Sequence, residues 1–439
     1  MKPIKHRNHT FLVPVLMGGL AVGSLFSACT GTGISSQPTT TQSDKQRIMA
    51  PNVPQADMSG LVAGEQAFAE DLAMRLGAEG GPRLFFSPLS IFEAMGMVHA
   101  GARGDTAEQL ASGLHFDLPT DRLFPAIDAL DLALASRGAG AQGKDGQPFR
   151  LRVVNAAWGQ TGYHFEQDYL DTLALYYGAG MFLVDYAGDT EGARRQINTW
   201  VADETEQRIQ DLIPQGILSP LTRLVLTNAI YFNAAWKYPF EKDATNAADF
   251  TLQDGTQIMV DMMHELESLG HVRLSDLDAV ELPYDGDEVS MIVILPDAGR
   301  FDAVEADLAN RLPAILQGLQ VKQVELSLPK FRFTSTLRID TYLKDMGVED
   351  LFDPTAADLS GMDGRHDLYV SAVLHKAFVA VDEAGTEAAA ATAVVVGTTG
   401  IPEVDATVTV DRPFLFVIRD IPTGAFLFMG SVRDPSAQN

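Results

Sequence analysis

The sequence contains a single cysteine, Cys29, among 439 residues. One thiol cannot form an internal disulfide, and it excludes the thiolate clusters that hold structural zinc. The nine histidines are not spaced as metal ligands, since His264 and His271 lack a third partner in the pattern. We therefore expect no metal ion and no other cofactor.

Basic residues are also scarce. Lys and Arg number 32 against 58 Asp and Glu, which gives a formal net charge of −26. Nucleic acids and anionic membrane surfaces are bound by clusters of Lys and Arg. The sequence thus argues against nucleic acid, against a membrane surface and against a regulatory glycosaminoglycan. We expect the acidic residues to form a well-solvated surface rather than a dedicated docking face.

Common catalytic motifs are missing as well. The sequence has no G-x-S-x-G nucleophile elbow, no H-E-x-x-H zinc motif and no glycine-rich loop of the kind that cradles phosphate. Serines are plentiful, so a triad assembled from distant residues is the one arrangement that the motifs leave open. We expect that the protein is not an enzyme.

The N terminus carries the one long apolar run that reads as a targeting signal. In residues 1–28, Lys2, Lys5 and Arg7 precede FLVPVLMGGLAVGSLFSA, which is typical of a secretory signal peptide. The run contains a proline and three glycines, and no positive stop-transfer cluster follows it. It is therefore a poor candidate for a membrane span.

Cys29 follows LFSA directly, in an arrangement that resembles the lipobox of bacterial lipoproteins. That resemblance implies an exported bacterial protein anchored through a lipid on Cys29, with the outer membrane favoured because Thr30 is not aspartate. The alternative is an incidental thiol beside an ordinary cleavage site and an extracellular protein. Residues 29–58 begin with a Ser, Thr, Gly and Gln-rich segment and are predicted to form a flexible tether.

Helical patterns dominate the first half of the remaining chain, and strand patterns dominate the second. Helices are predicted in LVAGEQAFAEDLAMRL, SPLSIFEAMGMVHAGA, EQDYLDTLALYYGA and EGARRQINTWVADETEQRI. Asp57 or Ser59 is expected to cap the start of the first helix, and Ser87 is the expected N-cap of the second. RVVNAAWGQ and RLVLTNAIYF indicate strands, and from DFTLQDG onward the chain is mainly strand-like. Helices first and long strands afterwards predict the α+β class rather than a doubly wound sheet.

Residues 381–400, VDEAGTEAAAATAVVVGTTG, combine strong helix formers with strong strand formers. Glu and Ala favour a helix, and the valines favour a strand. The stretch has neither a helical stripe nor strict polar alternation, and three glycines interrupt it. Its composition is that of a core segment, but its pattern fits no single core element.

Several segments together resemble the serpin family, and they occur in the family's order. They are FFSPLSIFEAMGMVHAGARGDTAEQL, LTNAIYFNAAWKYPFE, LPKFRF, HKAFVAVDEAGTEAAAATA and DRPFLFVIRDIPTGAFLFMG. The resemblance runs from about Leu61 to Pro435. It implies one monomeric domain over residues 59–436, with helices packed around large, mainly antiparallel β-sheets and an exposed reactive-centre loop at about residues 383–405.

The resemblance implies suicide inhibition of an endopeptidase, with serine enzymes as the first expectation and cysteine enzymes as the second. The target attacks the loop, forms an acyl-enzyme and is trapped when the cleaved loop inserts into the central sheet as a new strand. Strand alternation would then turn Thr386 inward and Glu387 towards water. The alternative is a non-inhibitory serpin that acts as a binding protein, chaperone or protease substrate; the uncharged run AAAATA favours insertion.

By the same resemblance, individual residues receive roles. The hinge of the loop comprises Glu383, Gly385, Thr386, Glu387, Ala388, Ala389, Ala390 and Ala391, and the reactive bond is Thr399–Gly400. The shutter, where the sheet parts, comprises Ser87, Ser90, Asn228 and His375, and the breach at its top comprises Trp236 and Lys330. Each shutter residue alone is also explained as a hydrogen-bonded core polar group. The small, uncharged Thr399 favours an elastase-like or subtilisin-like target.

Overall fold

The computed structural model describes residues 38–386 and 403–436. The predicted signal peptide lies outside these ranges, as do several predicted site residues: Cys29, Glu387, Ala388, Ala389, Ala390, Ala391, Thr399 and Gly400.

The described residues contain helices and strands in the following order. The α-helices are α1 (Gln55–Gly77), α2 (Pro88–Gly101), α3 (Gly104–Gly113), α4 (Thr120–Ala135), α5 (Gln167–Tyr177), α6 (Thr190–Glu204), α7 (Phe301–Ala306), α8 (Leu308–Gly318), α9 (Ile339–Asp345) and α10 (Ser360–Asp363). The strands are β1 (Thr39–Thr41), β2 (Arg83–Phe86), β3 (Arg150–Gln160), β4 (Met181–Val184), β5 (Leu224–Ala235), β6 (Asn246–Thr251), β7 (Gln257–Arg273), β8 (Leu277–Pro283), β9 (Val289–Pro296), β10 (Gln320–Pro329), β11 (Phe331–Arg338), β12 (Val373–Asp382), β13 (Gly385–Thr386), β14 (Ala406–Thr409), β15 (Phe414–Asp420) and β16 (Phe426–Val432).

The strands form two large sheets. Sheet A has the strand order β1-β4-β3-β5-β13-β12-β11. Sheet B has the order β14-β10-β7-β8-β9-β15-β16-β2, and β6 pairs with β7 beside it. The parallel neighbours are β3 with β4, β5 with β12 and β10 with β14, and the other paired strands are antiparallel. The α+β class with large, mainly antiparallel sheets is thus confirmed.

Helix α2 packs against β3 and β5 of sheet A, and every residue of PLSIFEAMGMV is buried. The helix begins at Pro88, and the Ser87 side chain caps it by accepting a hydrogen bond from the Ser90 N–H at 3.2 Å. Aromatic rings lie between the two sheets; Phe232 of sheet A contacts Phe428 of sheet B with centroids 5.5 Å apart. In the described part of the chain, no helix is long and apolar enough to cross a bilayer.

Residues 38–54 correct the predicted tether. Thr39–Thr41 pairs antiparallel with Met181–Val184, and Ile48 donates its N–H to the Leu175 carbonyl at 2.9 Å. Arg47 binds the carboxylates of Asp128 and Asp131 on α4. A polar composition predicted free chain, but an open strand edge binds backbone groups whatever the side chains are. The segment therefore packs along the folded domain.

The start of α1 also differs from the sequence interpretation. Capping by Asp57 or Ser59 was expected, but the helix begins at Gln55 after Pro54 without a side-chain cap. Asp57 is buried inside the first turn and accepts a hydrogen bond from Arg122 at 2.9 Å. Its carboxylate is used for a tertiary contact between α1 and α4 instead of a cap.

Candidate functional site

The predicted site residues that the structure describes lie along and beside the junction of β5 and β12, which we call the seam. Through its middle, residues 226–230 of β5 pair directly with residues 373–377 of β12 in parallel. At its upper end, β13 lies between the two strands. Thr386 pairs antiparallel with Val381 on one side and with Ala234 on the other. The seam is therefore closed in the middle and holds a two-residue strand at its upper end.

The chain reaches β13 through a tight reversal after β12. Gly385 has a φ of +148°, which disfavours residues with a side chain, and a Cβ there would lie 2.2 Å from the Ala234 carbonyl oxygen. The Trp236 and Phe240 N–H groups bind the carbonyls of Ala384 and Glu383 at 3.0 and 2.9 Å. This part of the predicted hinge is thus fixed by backbone contacts on several sides.

Thr386 is held by its side chain. It is 2% exposed, and its hydroxyl lies 2.7 Å from the hydroxyl of Tyr284. Burial raises the pKa of Tyr284, so the phenol stays protonated. Tyr284 stacks on Trp236 with centroids 4.5 Å apart, and the Trp236 indole donates to the Asp382 carbonyl at 3.0 Å. These aromatic rings line the pocket that receives Thr386.

Glu383 of the predicted hinge and Lys330 of the predicted breach are joined by an ion pair at 3.1 Å. Thr245 donates a second hydrogen bond to the Glu383 carboxylate at 2.8 Å. Burial alone would raise the pKa of Glu383, but hydrogen bonds from the backbone, Thr245 and Lys330 lower it overall. The carboxylate therefore stays ionised beside the reversal, although the residue is only 7% exposed.

The four residues predicted as the shutter form one hydrogen-bonded cluster below β13. The Ser90 hydroxyl donates to Asn228 Oδ1 at 2.8 Å, and His375 Nδ1 contacts the same oxygen. The Ser87 N–H donates to His375 Nε2 at 3.1 Å. Since Nε2 accepts, the proton is on Nδ1 and donates to Asn228. Burial lowers the pKa of His375 to about 3, which keeps the ring in this neutral form.

The cluster extends to two residues that the sequence reading did not single out. The Asn228 amide donates to Asn155 Oδ1, and the Asn155 amide lies 3.5 Å from the Glu93 carboxylate. Burial raises the pKa of Glu93 well above its ordinary value, which favours the protonated form of this carboxyl. Each of the two is a polar residue within a largely apolar run, and this could have marked it: Asn155 lies in RVVNAAWGQ and Glu93 in SIFEAMGMV.

This serine–histidine cluster is not arranged as a catalytic site. His375 Nε2 accepts from a backbone N–H rather than from a serine hydroxyl, and Ser87, Ser90 and His375 are all fully buried. A general base needs a free lone pair directed at a reactive hydroxyl. In the described ranges no group of three or more His, Cys, Asp or Glu is placed to hold a metal ion.

The architecture and the sequence match a known family. The family model of serpins, described as serine protease inhibitors, matches residues 63–435. The chain belongs to the serpin family. That description is of protease inhibitors and not of enzymes.

Serpin relatives cover most of the chain. It is 39% identical over 373 residues to an uncharacterized serpin-like protein of Thermococcus kodakarensis, with 84% of each chain covered. It is 36% identical to the leukocyte elastase inhibitor of Homo sapiens, which covers 86% of this chain and 100% of that protein. Family membership thus rests on relatives from different domains of life.

Solved serpin structures also resemble the chain. Tengpin, a thermophilic serpin in the native state, superposes with a TM-score of 0.77 at 25% identity and covers 91% of this chain and 100% of its own. Serpin48 of the insect Tenebrio molitor gives a TM-score of 0.76 at 28% identity, covering 87% of this chain and 99% of its own.

Proposed function

We propose that this serpin is a suicide inhibitor of serine endopeptidases that traps the acyl-enzyme by inserting its cleaved loop into the seam. The observation that carries the proposal is β13: in the uncleaved chain, Gly385 and Thr386 already lie between β5 and β12 and pair with both. A strand that has started to enter needs only a free distal end to continue.

The register of β13 sets where a continuing strand would run. Thr386 lies between Ala234 and Val381, and each further residue moves one position along both strands. Residue 390 would then fall between Ile230 and Ala377, a pair that now bonds directly. Residue 392 would fall between Asn228 and His375. These are Ala390 and Thr392, whose small side chains fit a gap that opens by one strand.

The source of the driving force is the difference in backbone pairing. Insertion replaces one short parallel pairing in the middle of the seam by two antiparallel pairings along its length. Each net hydrogen bond contributes about 0.5–1.5 kcal/mol, so a strand of a dozen residues gains many times that amount. The uncleaved chain is then held by kinetic rather than equilibrium stability, with the closed middle of the seam as the barrier.

The target is proposed from the loop sequence and a relative. The count along the family pattern places the reactive bond at Thr399–Gly400, and a threonine side chain suits a pocket for small, uncharged residues. The relative from Homo sapiens is named as an inhibitor of leukocyte elastase. An elastase-like serine endopeptidase is therefore the proposed target class, with subtilisin-like enzymes next.

Human leukocyte elastase is the probe that tests this function. We expect a complex that survives denaturing electrophoresis, together with a released C-terminal peptide whose mass places Gly400 within one or two residues of its start. The elastase-cleaved protein should also unfold at a higher urea concentration than the uncleaved protein. Cleavage without complex and without a gain in stability would support the alternative, a non-inhibitory serpin consumed as a substrate.

We further propose that the chain is exported and anchored to the cell envelope of a bacterium through Cys29. The support is the order of basic residues, apolar run and LFSAC at the N terminus. Wild-type protein expressed in a bacterium should incorporate labelled palmitate and partition into detergent, whereas Cys29→Ser should do neither. A wild type that stays in the aqueous phase would contradict the anchor.

A further inference from the structure

A buried lysine crosses the seam on the face of sheet A opposite Tyr284, which we call the outer face. Lys144 lies in the loop between α4 and β3 and is 1% exposed. Its ammonium donates to the Ala380 carbonyl at 3.2 Å and lies 2.9 Å from the Asp382 carboxylate, both on β12. The same loop is bonded to β5, since the Ala235 N–H donates to the Gln142 carbonyl at 3.1 Å. The loop therefore links the two strands that have to separate.

The position of Lys144 along the seam follows from the register of β13. Thr386 lies at the level of Ala234 and Val381, so the next level is that of Asn233 and Ala380. Lys144 binds Ala380, and the preceding Gly143 packs so closely on Asn233 that a Cβ would lie 2.6 Å from its Oδ1. The loop thus crosses the outer face at the level of Asn233 and Ala380, one position beyond the last residue of β13.

The side chain that arrives at this level has a defined direction. Directly paired residues share a face of the sheet, and successive residues alternate. Thr386 faces Tyr284, so in a strand that continued past it the following side chain would face outward, towards Lys144. In the sequence that residue is Glu387. The expectation that Glu387 faces water concerns a residue outside the described ranges, and a strand continued in this register would instead bring it to the loop of Lys144.

We propose that Lys144 is a positioning residue for strand insertion, which holds the upper seam through β12 before cleavage and pairs with the Glu387 carboxylate when the strand enters. This inference rests on the proposed function. A fully buried ammonium needs an anionic partner, and Asp382 supplies one in the uncleaved chain while keeping its side chain 26% exposed. The Glu387 carboxylate on an entering strand would add a second anionic partner for the Lys144 ammonium. A cation at position 387 would instead lie beside that buried positive charge.

The test is a double-mutant cycle between positions 144 and 387. Glu387→Arg should lower the yield of denaturant-stable complex with leukocyte elastase by about tenfold or more, because a guanidinium must be desolvated beside Lys144. In the Lys144→Met background, where the stem still fills the loop but the charge is gone, Glu387→Arg should lower the yield much less. Glu387→Gln controls for loss of the carboxylate alone.

A second readout uses the elastase-cleaved protein and does not depend on complex yield. Urea unfolding midpoints should show coupling between positions 144 and 387 after cleavage and none before it; urea is chosen because guanidinium would screen the ion pair. A purely structural Lys144 would lower both midpoints equally and leave no coupling.

The possible failures are distinguishable. If cleavage of the wild type yields neither complex nor a higher midpoint, the proposed function is wrong and this inference falls with it. If the wild type forms complex and gains stability, but Glu387→Arg acts equally with Lys144 and with Met at position 144, the role of Lys144 alone is wrong.

Discussion

The upper end and the middle of the seam are built from the same two strands but are in opposite states. At the upper end β13 separates β5 from β12, and the added strand satisfies the backbone groups of both. In the middle the two strands bond directly, and Asn228 and His375 bind each other across the junction. The seam has thus opened only where a strand is present to replace the lost pairing.

The difference teaches where the barrier to insertion lies. Parting the upper end exposes little, because Thr386 is already bound by Tyr284 and the backbone is paired. Parting the middle separates a buried polar cluster whose groups would cost about 1–3 kcal/mol each if left without partners. Thr392, the residue expected at that level, carries a hydroxyl that can replace one of them. The following predictions break or sharpen this contrast, from the largest effect to the smallest.

Thr386→Arg should have the largest effect because it destroys the open state of the upper end. A guanidinium beside Tyr284 would be desolvated without an anionic partner, at a cost of several kcal/mol, which is enough to lower complex yield about a hundredfold or more. Cleavage by elastase should continue. Thr386→Ser, which keeps the hydroxyl, should trap normally, and equal complex yield from the arginine variant would refute the assignment of the hinge.

Asn228→Ala should weaken the middle of the seam. It removes the acceptor of Ser90 and His375 and the donor to Asn155, and Asn228 itself is fully buried. We expect the urea unfolding of uncleaved protein to lose about 3 kcal/mol. Ser90→Ala is the matched control, since it deletes one hydroxyl of the same cluster and should cost about 1 kcal/mol. Equal losses would show that Asn228 is not the centre of the cluster.

Acid should loosen the middle of the seam through His375. Its pKa is about 3 in the folded protein and 6.5 as the ordinary value, so the unfolded state binds the proton first as pH falls. The neutral ring thus contributes stability that is complete above about pH 6.5 and is lost towards pH 3.

His375→Gln tests this titration because glutamine does not protonate in that range. By about pH 5, the wild type should have lost about 2 kcal/mol more unfolding free energy than the variant, measured by urea unfolding at a series of pH values. The two proteins are compared by the slope of the unfolding free energy against pH, because the substitution also shifts the absolute stability. Parallel curves for the two proteins would contradict a buried neutral histidine.

Tyr284→Phe should give the smallest effect, at the upper end. It deletes the hydroxyl that binds Thr386 but keeps the ring that stacks on Trp236. We expect a loss of about 1 kcal/mol in the uncleaved protein. The loss should disappear in a Thr386→Val background, where the partner hydroxyl is already gone; a loss that persists there would place the role of Tyr284 elsewhere.

Several features of the protein were determined locally and could be predicted from the sequence. Helix α2 is apolar on all sides with Ser87 and Pro88 at its start, and it forms where predicted. Strand β5 is a nearly continuous apolar run and is buried along almost its whole length. Buried polar residues within such runs, Ser90 and Asn228, had to find partners, because an unpaired polar group in a core is costly.

Other features were decided only when distant segments came together. Residues 38–54 have the composition of a free tether, yet β4 offered an open edge that fixed them. Tyr284 and Lys144 meet β13 and β12 from far along the chain, and no local pattern marks either as part of the site.

The reactive-loop stretch shows the division most clearly. Its mixed propensities determined no element, because helix and strand formers compete within one segment. Its first two strand residues, Gly385 and Thr386, took the extended form because β5 and β12 present unpaired backbone on both sides at that level. The small side chains of the stretch allow it to pass between β5 and β12. Where the gap between these strands begins was decided by the tertiary structure, because backbone hydrogen bonds need partners that only the folded sheet supplies.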